Sequence, residues 1–289
     1  MFELKILITG ANGLLGRYAI RAFHKKYNVH AIVREIPEDK FEGVTYHVHD
    51  LKEDWSVENL PKDVNVIFHL AQSELFRAFP ENTIDVYNVN VTSTVKLLDY
   101  ARKTGVAKFV FASTGGVYDS DNGPVDEDSP INTLGLLGNY FATKLCSEIL
   151  TRNYTNYFDV VLLRIFFMYG KGQKRSMLIP RLVDNVLLGK PITITGGEGV
   201  KINPVHVSDV VKVLEKSMGL SGSFTFNVAG PEVLNLKQIA TLIGAKMDKE
   251  PLYVYSNEVG NNCIANIEHM RKTLHIPKVR LEDKIIELF

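Results

Sequence analysis

The sequence feature that most constrains the fold is a glycine-rich turn near the start of the chain, between an apolar segment and a helical one. Residues 4–9 form a short apolar run typical of a buried parallel strand, and residues 14–26 show helical periodicity with a basic end. The spacing between them is Gly-x-x-Gly-x-x-Gly. Small residues let the backbone approach a pyrophosphate, toward which the N–H groups of the helix start point. The pattern predicts a dinucleotide phosphate site at Gly10, Asn12, Gly13, Leu14, Leu15 and Gly16.

Strand and helix signals continue to alternate along the chain. We predict further strands at 29–33, 44–49, 64–71, 107–112 and 160–166, and helices at 83–104 and 140–154. This alternation indicates an α/β fold with a Rossmann-type doubly wound parallel sheet. From about Tyr169 the composition changes to glycine, lysine and short mixed elements. We therefore expect a dinucleotide-binding domain at 1–166, to which 203–228 returns, and a smaller C-terminal α/β substrate lobe at 167–289.

The composition argues against several classes of function. Lys plus Arg and Asp plus Glu number 33 each, so no net charge attracts nucleic acid or a membrane surface. We find no apolar run of about eighteen residues and no secretory pattern at the N-terminus. Two cysteines, Cys146 and Cys263, make neither a disulfide framework nor a metal cluster. We expect a cytoplasmic, metal-free protein that binds a small-molecule substrate, with no nucleic-acid or membrane partner.

The predicted strand ends include residues suited to an adenosine moiety. Asp50 can accept a hydrogen bond from the adenine amino group while Leu51 packs against the ring. Arg34 can pair with a 2′-phosphate, which favours NADP, or can be a solvated strand end. The coenzyme is therefore NAD or NADP, and Arg34 favours NADP. His69 lies in a continuous apolar run, so we interpret it as a packed core histidine rather than a catalyst.

The chemistry points to Tyr140, Lys144 and Thr114. Tyr140 and Lys144 are four residues apart and share one helix face. A phenol has a pKa near 10, and we expect the lysine ammonium and a positive nicotinamide ring to lower the pKa of Tyr140 toward the working range. Thr114 follows a predicted strand and can donate a hydrogen bond to the substrate oxygen. These groups can move a proton while hydride leaves the adjacent carbon.

The chain resembles the extended short-chain dehydrogenase/reductase family of nucleotide-sugar epimerases, dehydratases and reductases over essentially its whole length. The resemblance rests on Thr9–Gly16, Asp50-Leu51, His69-Leu70-Ala71, Asn88-Val89-Asn90, Ser113–Tyr118, Tyr140–Lys144 and Leu163–Phe166. It implies that Tyr140 is the acid/base, that Lys144 holds both Tyr140 and the nicotinamide ribose, and that Thr114 completes the triad.

The resemblance also implies a coenzyme-binding set and an oligomeric state. Family members commonly dimerise by packing the helix near Asn90 against the helix of Tyr140, so we expect a homodimer. Beyond the glycine turn, the expected coenzyme-binding residues are Arg34, Asp50, Leu51, Leu70, Ala71, Asn90, Ala112, Tyr140, Lys144 and Phe166.

Several positions depart from the family pattern. Gly115 and Gly116 follow Thr114, where members that dehydrate or decarboxylate sugars usually carry acidic residues, so we discount those activities. Phe167 stands where members acting on nucleoside diphosphate sugars usually have Asn, and residues 202–204 stand where many carry an Arg for the diphosphate. Arg175 and Arg181 can supply the missing charge or belong to a solvated basic turn. The expected substrate-binding residues are Thr114, Phe167, Arg175, Arg181 and His206.

These features predict an NAD(P)-dependent oxidoreductase or epimerase that acts on a hydroxyl or ketone of a sugar or nucleotide sugar. A sugar epimerase is the leading interpretation. An NADPH-dependent keto-sugar or carbonyl reductase is the alternative, because the same triad serves both reactions. A cofactor-binding sensor without catalysis is a third, against which the intact Thr114, Tyr140 and Lys144 argue.

Overall fold

The computed structural model describes residues 4–119, 123–132, 137–258 and 260–289. The strands within these ranges are β1 (Lys5–Thr9), β2 (Asn28–Val33), β3 (Val44–Val48), β4 (Val66–His69), β5 (Lys108–Thr114), β6 (Pro124–Val125), β7 (Asp159–Ile165), β8 (Met168–Tyr169), β9 (Ile192–Thr195), β10 (Lys201–Ile202), β11 (Val205–His206), β12 (Phe224–Val228), β13 (Leu234–Asn235), β14 (Tyr253–Ser256) and β15 (Ile264–Ala265). The helices are α1 (Leu14–Phe23), α2 (Thr83–Tyr87), α3 (Ser93–Thr104), α4 (Asn139–Arg152), α5 (Leu178–Leu187), α6 (Val207–Ser217), α7 (Leu236–Met247), α8 (Glu268–Thr273) and α9 (Leu281–Lys284).

Seven strands form one sheet in the order β12-β7-β5-β4-β1-β2-β3. The pairs β1–β2, β1–β4, β2–β3 and β4–β5 are all parallel. The chain runs outward from β1 to β3 and then returns to β4 on the other side of β1, which makes a topological switch point between β1 and β4. Strands β4 and β5 are buried along nearly their whole length, as expected for a sheet covered on both faces. The predicted Rossmann-type doubly wound sheet is confirmed.

The chain divides into two compact units, each with its own apolar core. Unit 1 comprises Met1–Val117, Asn132–Arg164 and Leu214–Phe226, and unit 2 comprises Tyr118–Ile131, Ile165–Val213 and Asn227–Phe289. The core of unit 1 includes Leu7, Ile67 and Phe109, and that of unit 2 includes Val183 and Ile243. The assignment of coenzyme and substrate roles to separate parts of the chain stays a prediction. No helix among the described residues combines the length and apolarity that crossing a membrane requires.

The turn after β1 requires glycine for two physical reasons. Gly10 has φ of +65°, a left-handed conformation that residues with a Cβ rarely adopt. A Cβ on Gly10 would also lie 2.8 Å from the backbone of Ala71, which follows β4. At Gly16, in the first turn of α1, a Cβ would lie 2.3 Å from the carbonyl oxygen of Gly10. The glycines therefore let β1, α1 and the end of β4 approach one another closely.

The helix predicted at 83–104 is interrupted in the structure. Residues 88–92 form a π-helical turn between α2 and α3, and Asn90 lies buried in it. Periodicity did not reveal this turn, because the apolar residues around it still repeat at a helical spacing. Gly105 ends α3 with φ of +71°, the left-handed conformation typical of glycine at the end of a helix.

Candidate functional site

A cavity of about 280 Å³ lies in unit 1 at the carboxyl ends of β1, β2 and β4. Its lining includes residues that the sequence predicted for coenzyme binding, namely Gly10, Asn12, Gly13, Arg34, Asp50, Leu51, Leu70 and Ala71. Open parallel sheets bind nucleotides at this edge, where the strand order reverses. The structure therefore brings the glycine turn and the two predicted adenosine-side strand ends into one site.

The start of α1 supplies backbone donors to this region. Gly13 is the N-cap of α1, its first turn carries no acidic residue, and among the described residues no side chain caps it. Uncapped N–H groups at the positive end of a helix suit a phosphate group. Leu14, Leu15 and Gly16 form this first turn and lie outside the cavity lining. Together with the close approach at Gly10, the turn fits the pyrophosphate of a dinucleotide.

A chain of hydrogen bonds fixes the end of β4 beside the glycine turn. Thr94 Oγ1 donates to the carbonyl oxygen of Asn90 at 2.6 Å and therefore accepts from His69 Nε2 at 2.9 Å. His69 Nδ1 then accepts from Thr9 Oγ1 at 2.7 Å, which itself accepts from the N–H groups of the two residues after His69. Burial lowers the pKa of His69 to about 3, so the ring is neutral. The prediction of a packed core histidine is confirmed.

Arg34 lies at the edge of the cavity with a carboxylate partner. Its guanidinium pairs with Glu74 at 3.0 Å, and 60% of its side chain is exposed. Asp50 and Asp85 add two carboxylates to the lining, whereas Lys52 adds one cation. A 2′-phosphate would therefore meet more carboxylates than cations in this cavity. The preference for NADP that Arg34 suggested in the sequence is not supported.

Thr114 and Tyr140 are brought together at the end of β5. The Thr114 side chain lies near enough to the phenol to lower the pKa of Tyr140, and its Oγ1 accepts from the Gly116 N–H at 3.2 Å. The Tyr140 ring packs against Phe76 and Phe141, with centroid distances of 4.9 and 5.2 Å. Glycine at 116 is required here, because a Cβ would lie 2.1 Å from the Phe141 ring.

Lys144 lies one turn after Tyr140 on α4 and is almost fully buried. Its Nζ donates to the carbonyl oxygen of Ala112 at 2.8 Å and lies 4.9 Å from the ring centroid of Phe111. Burial lowers the pKa of Lys144 to about 7, while the nearby Glu148 carboxylate raises it. Burial therefore makes the ammonium form less favourable than it is for an exposed lysine.

The protein groups move the pKa of Tyr140 in the direction opposite to our expectation. Burial raises it well above its usual value, because the phenolate is poorly solvated, and the hydrogen bond from Thr114 lowers it in part. We expected Lys144 to lower this pKa, but the lysine Nζ donates to a backbone carbonyl, and burial lowers the pKa of the lysine itself. A lowered pKa therefore requires a further positive charge beside the phenol.

Asn90, Ala112 and Phe166, which were also predicted for coenzyme binding, lie outside the cavity lining, as do Tyr140 and Lys144. Asn90 is buried, and its side chain accepts from the Ser73 N–H and donates to Thr143 Oγ1, both at 2.9 Å. Ala112 contributes the carbonyl oxygen that holds the lysine. Phe166 is buried in unit 2. Their direct contact with a coenzyme stays a prediction.

The two arginines predicted for the substrate lie in unit 2 and differ in their contacts. The Nε of Arg175 donates to both carboxylate oxygens of Asp184 at 3.1 and 3.0 Å, and its Nη1 donates to the carbonyl oxygen of Leu288 at 2.6 Å. Its guanidinium is thus committed to contacts inside unit 2. Arg181 is exposed on α5. A role for either arginine toward a diphosphate stays a prediction.

His206 and Phe167 are also held within unit 2. His206 is buried, with Nδ1 2.7 Å from Ser208 Oγ and Nε2 3.5 Å from the Glu287 carboxylate. Phe167 is partly buried against the apolar core and has φ of +40°, a strained conformation for a residue with a Cβ. Asn tolerates this conformation better than Phe does, so the departure noted in the sequence has a conformational cost.

A buried ion pair supports α4 and was missed in the sequence. Arg164 on β7 donates through Nη2 to Glu148 at 2.8 Å, and Ser113 on β5 donates to the same carboxylate. Glu148 and Arg164 are both nearly inaccessible to solvent. The pair fixes the helix that carries Tyr140 and Lys144 against two strands of the sheet. An acidic residue four positions after Lys144, together with an arginine in a core strand, was the available signal.

The cavity lining also includes Gln72, Ser73 and Glu74, which the sequence analysis did not select. These polar residues follow directly after β4 and its apolar extension. Three consecutive polar residues at the carboxyl end of a core strand were the signal that could have identified them. The Tyr140 hydroxyl donates to Gln72 Oε1 at 2.8 Å, so the Gln72 side chain both lines the cavity and contacts the phenol.

The chain is similar to known proteins in both sequence and fold. Residues 6–236 match the model of the NAD dependent epimerase/dehydratase family. The Bacillus subtilis (strain 168) protein YtcB, described as an uncharacterized UDP-glucose epimerase, is 30% identical over 97% of this chain and 95% of its own length. UDP-glucuronate 4-epimerase of Thermodesulfobacterium geofontis is 28% identical over 76% of this chain and 70% of its own. The structure of UDP-glucuronic acid 4-epimerase from Bacillus cereus, in complex with UDP-glucuronic acid and NAD, superposes with a TM-score of 0.86, 24% identity and coverage of 98% and 97%.

The chain belongs to the NAD dependent epimerase/dehydratase family. The resemblance inferred from the motifs is therefore confirmed, as is the prediction of an enzyme of the NAD-dependent epimerase type. The alternative, a dedicated reductase, is not favoured.

Proposed function

We propose that this protein is an NAD-dependent epimerase that inverts a hydroxyl-bearing carbon of a UDP-sugar. The observation that carries the proposal is the Tyr140 phenol, which donates to Gln72 of the glycine-turn cavity at 2.8 Å and has Thr114 near it. The relatives support the substrate class, because those described above are named as UDP-glucose and UDP-glucuronate epimerases.

The coenzyme proposed for the cavity is NAD. The Arg34–Glu74 pair and the excess of carboxylates in the lining disfavour an additional phosphate on the ribose. The Bacillus cereus epimerase structure was determined with NAD, which supports the same choice. Gly10, Gly13 and the first turn of α1 would hold its pyrophosphate, and Asp50 and Leu51 its adenosine end.

The residues of unit 1 have separable roles in this reaction. Bound NAD would supply the acceptor and donor of hydride at the sugar carbon. Tyr140 would take the proton from the sugar hydroxyl and return it to the ketone oxygen after the ketone has turned over. Thr114 would donate a hydrogen bond to that oxygen, and buried Lys144 would add positive charge on the same helix face. The raised pKa of Tyr140 makes positive charge beside the phenol a requirement for this proton transfer.

Two further parts of the proposal concern the assembly and its location. Apolar side chains are exposed on the helices near Asn90 and on α4, including Ile84, Tyr87, Val95 and Ile149. Covering them in a second copy would bury apolar area, which supports a homodimer formed through these helices. We propose a cytoplasmic location for this dimer. Light scattering of the purified protein tests the dimer directly, and Ile149→Glu should convert it to a monomer.

The proposed activity is tested by incubating the purified protein with UDP-glucose or UDP-glucuronic acid without added coenzyme. An epimerase recycles its NAD in every turnover, so we expect the C4 epimer to form and NAD to be released when the protein is denatured. A protein that turns over only with stoichiometric NADPH would refute the epimerase and support the reductase. Thermal stabilisation by NAD and by NADP, measured separately, tests the coenzyme.

A further inference from the structure

The phenol of Tyr140 makes a contact that the proposed chemistry does not require. Its hydroxyl donates to Gln72 Oε1 at 2.8 Å. Thr114 lies near the phenol and lowers its pKa, and the Thr114 Oγ1 accepts from the N–H of Gly116. The proton of the phenol is directed at a group that is not a base.

Hydrogen bonds connect the backbone beside Gln72 to the helix that carries Tyr140. The N–H of Ser73 donates to Asn90 Oδ1 at 2.9 Å, and Asn90 Nδ2 donates to Thr143 Oγ1 at 2.9 Å. Thr143 Oγ1 donates in turn to the carbonyl oxygen of Tyr140 at 2.8 Å. Asn90, in the π-helical turn, thus ties the backbone beside Gln72 to α4, the helix that carries Tyr140. The contact between the two side chains follows from this framework.

An acceptor at this distance favours the neutral phenol. A hydrogen bond from the hydroxyl to an amide oxygen stabilises the protonated form, and the same oxygen repels a phenolate. The phenol must lose this proton before it can act as a base. Gln72 also lines the cavity proposed for NAD, so a molecule filling that cavity meets the same side chain.

We propose that Gln72 is a positioning residue for the proposed reaction. Its amide oxygen holds Tyr140 as a neutral hydrogen-bond donor, and both ionisation of Tyr140 and occupation of the cavity by a dinucleotide open this contact. Because both processes break the same hydrogen bond, each favours the other. The inference rests on the proposed function, since it assigns Gln72 to the acid/base group of that reaction.

Other charged groups near the phenol do not take the place of Gln72. Lys144 and Glu148 lie on the same helix, and the Lys144 Nζ is bonded to Ala112 rather than to the phenol. From the segment after β4, the Arg77 guanidinium lies 5.1 Å from the centroid of the Phe76 ring, which itself packs on Tyr140. The end of β5 contributes Thr114, which is uncharged.

The test compares pH profiles of kcat/KM for the wild type, Gln72→Met, Gln72→Glu and Phe76→Leu. Gln72→Met keeps the length of the side chain without a strong acceptor, so the midpoint of the acidic limb should fall by about half to one pH unit. Gln72→Glu should move it upward, because a carboxylate beside the phenol disfavours the phenolate. Phe76→Leu alters packing on the same ring but keeps the Gln72 acceptor, so its midpoint should move less than that of Gln72→Met. An unchanged midpoint in both Gln72 variants would overturn the inference.

A second readout does not need turnover. In the wild type, NAD affinity measured by calorimetry should rise with pH as Tyr140 ionises, and in Gln72→Met this rise should begin at a lower pH. Tyr140→Phe should abolish both the rise and the turnover. If Tyr140→Phe retains turnover, the proposed function fails. If Tyr140→Phe is inactive but the Gln72 variants match the wild type in both measurements, only the role of Gln72 fails. If Gln72→Met does not fold, Gln72→Asn, which withdraws the amide from the phenol, replaces it in both assays.

Discussion

Replacing Gly10 with alanine tests the physical basis of the dinucleotide site. Gly10 has φ of +65°, and its Cβ would lie 2.8 Å from both the N and Cα atoms of Ala71. The left-handed conformation alone costs a residue with a Cβ about 1–2 kcal/mol. Gly105 provides a matched control, because it has φ of +71° and no heavy atom within 4 Å of its Cβ position.

The difference in unfolding free energy between the two variants isolates the cost of the close approach between the backbones of Gly10 and Ala71. Gly105→Ala should lose about 1–2 kcal/mol of unfolding free energy, from the conformation alone. Gly10→Ala should lose a further 1–3 kcal/mol, roughly, because neither backbone atom of Ala71 can move without displacing the end of β4. At about 2–4 °C per kcal/mol, Gly10→Ala should melt some degrees below the control.

Thermal unfolding measures the loss of stability, and NAD titration measures the loss of coenzyme affinity. We expect Gly105→Ala to bind NAD as the wild type does, since it ends α3 away from the cavity, whereas Gly10→Ala should bind it at least tenfold more weakly. If Gly10→Ala is as stable as Gly105→Ala and binds NAD with wild-type affinity, the proposed glycine cradle is wrong.

Three further predictions concern charged and titratable groups. Glu148→Gln leaves the buried Arg164 without its carboxylate and should cost about 3–5 kcal/mol of unfolding free energy, and a loss below 1 kcal/mol in denaturant titration would contradict that role. Arg34→Ala should leave NAD affinity within about threefold of wild type, because Glu74 already neutralises the exposed guanidinium; a selective loss of NADP binding would restore the NADP interpretation. Burial lowers the pKa of His69 from 6.5 to about 3. Between these two pH values the imidazole is protonated in the unfolded chain but neutral in the folded protein. Stability should therefore fall from pH 6.5 toward 3, and His69→Gln should show a shallower decline; an unchanged slope would refute this.

Much of the fold could be predicted because its signals are local. The apolar run at 4–9 and the periodic segment at 14–26 predicted β1 and α1. The π-helical turn at 88–92 was not predictable, because it depends on Asn90 making hydrogen bonds to Ser73 and to α4. Those partners are distant in the sequence, so no local pattern records them.

Site residues were predictable where they follow the ends of strands. The predictions failed where the environment of a residue depends on partners distant in the sequence. Gly10, Asp50 and Ala71 line the cavity because the carboxyl ends of parallel strands meet at one edge. Arg34 and Arg175 look alike in the sequence as free cations, yet each is paired with a carboxylate that only the fold brings near. The direction of the Tyr140 pKa likewise depends on burial, which a motif does not show.

In the proposed reaction, the Tyr140 phenol moves the proton of a UDP-sugar hydroxyl. This step is tested by C4 epimerisation of UDP-glucose by Tyr140→Phe, with NAD binding measured in the same preparation. Loss of a general acid/base should reduce kcat by at least a hundredfold, roughly, while NAD affinity near neutral pH stays within a fewfold of wild type. Wild-type turnover by a Tyr140→Phe protein that binds NAD would contradict the account.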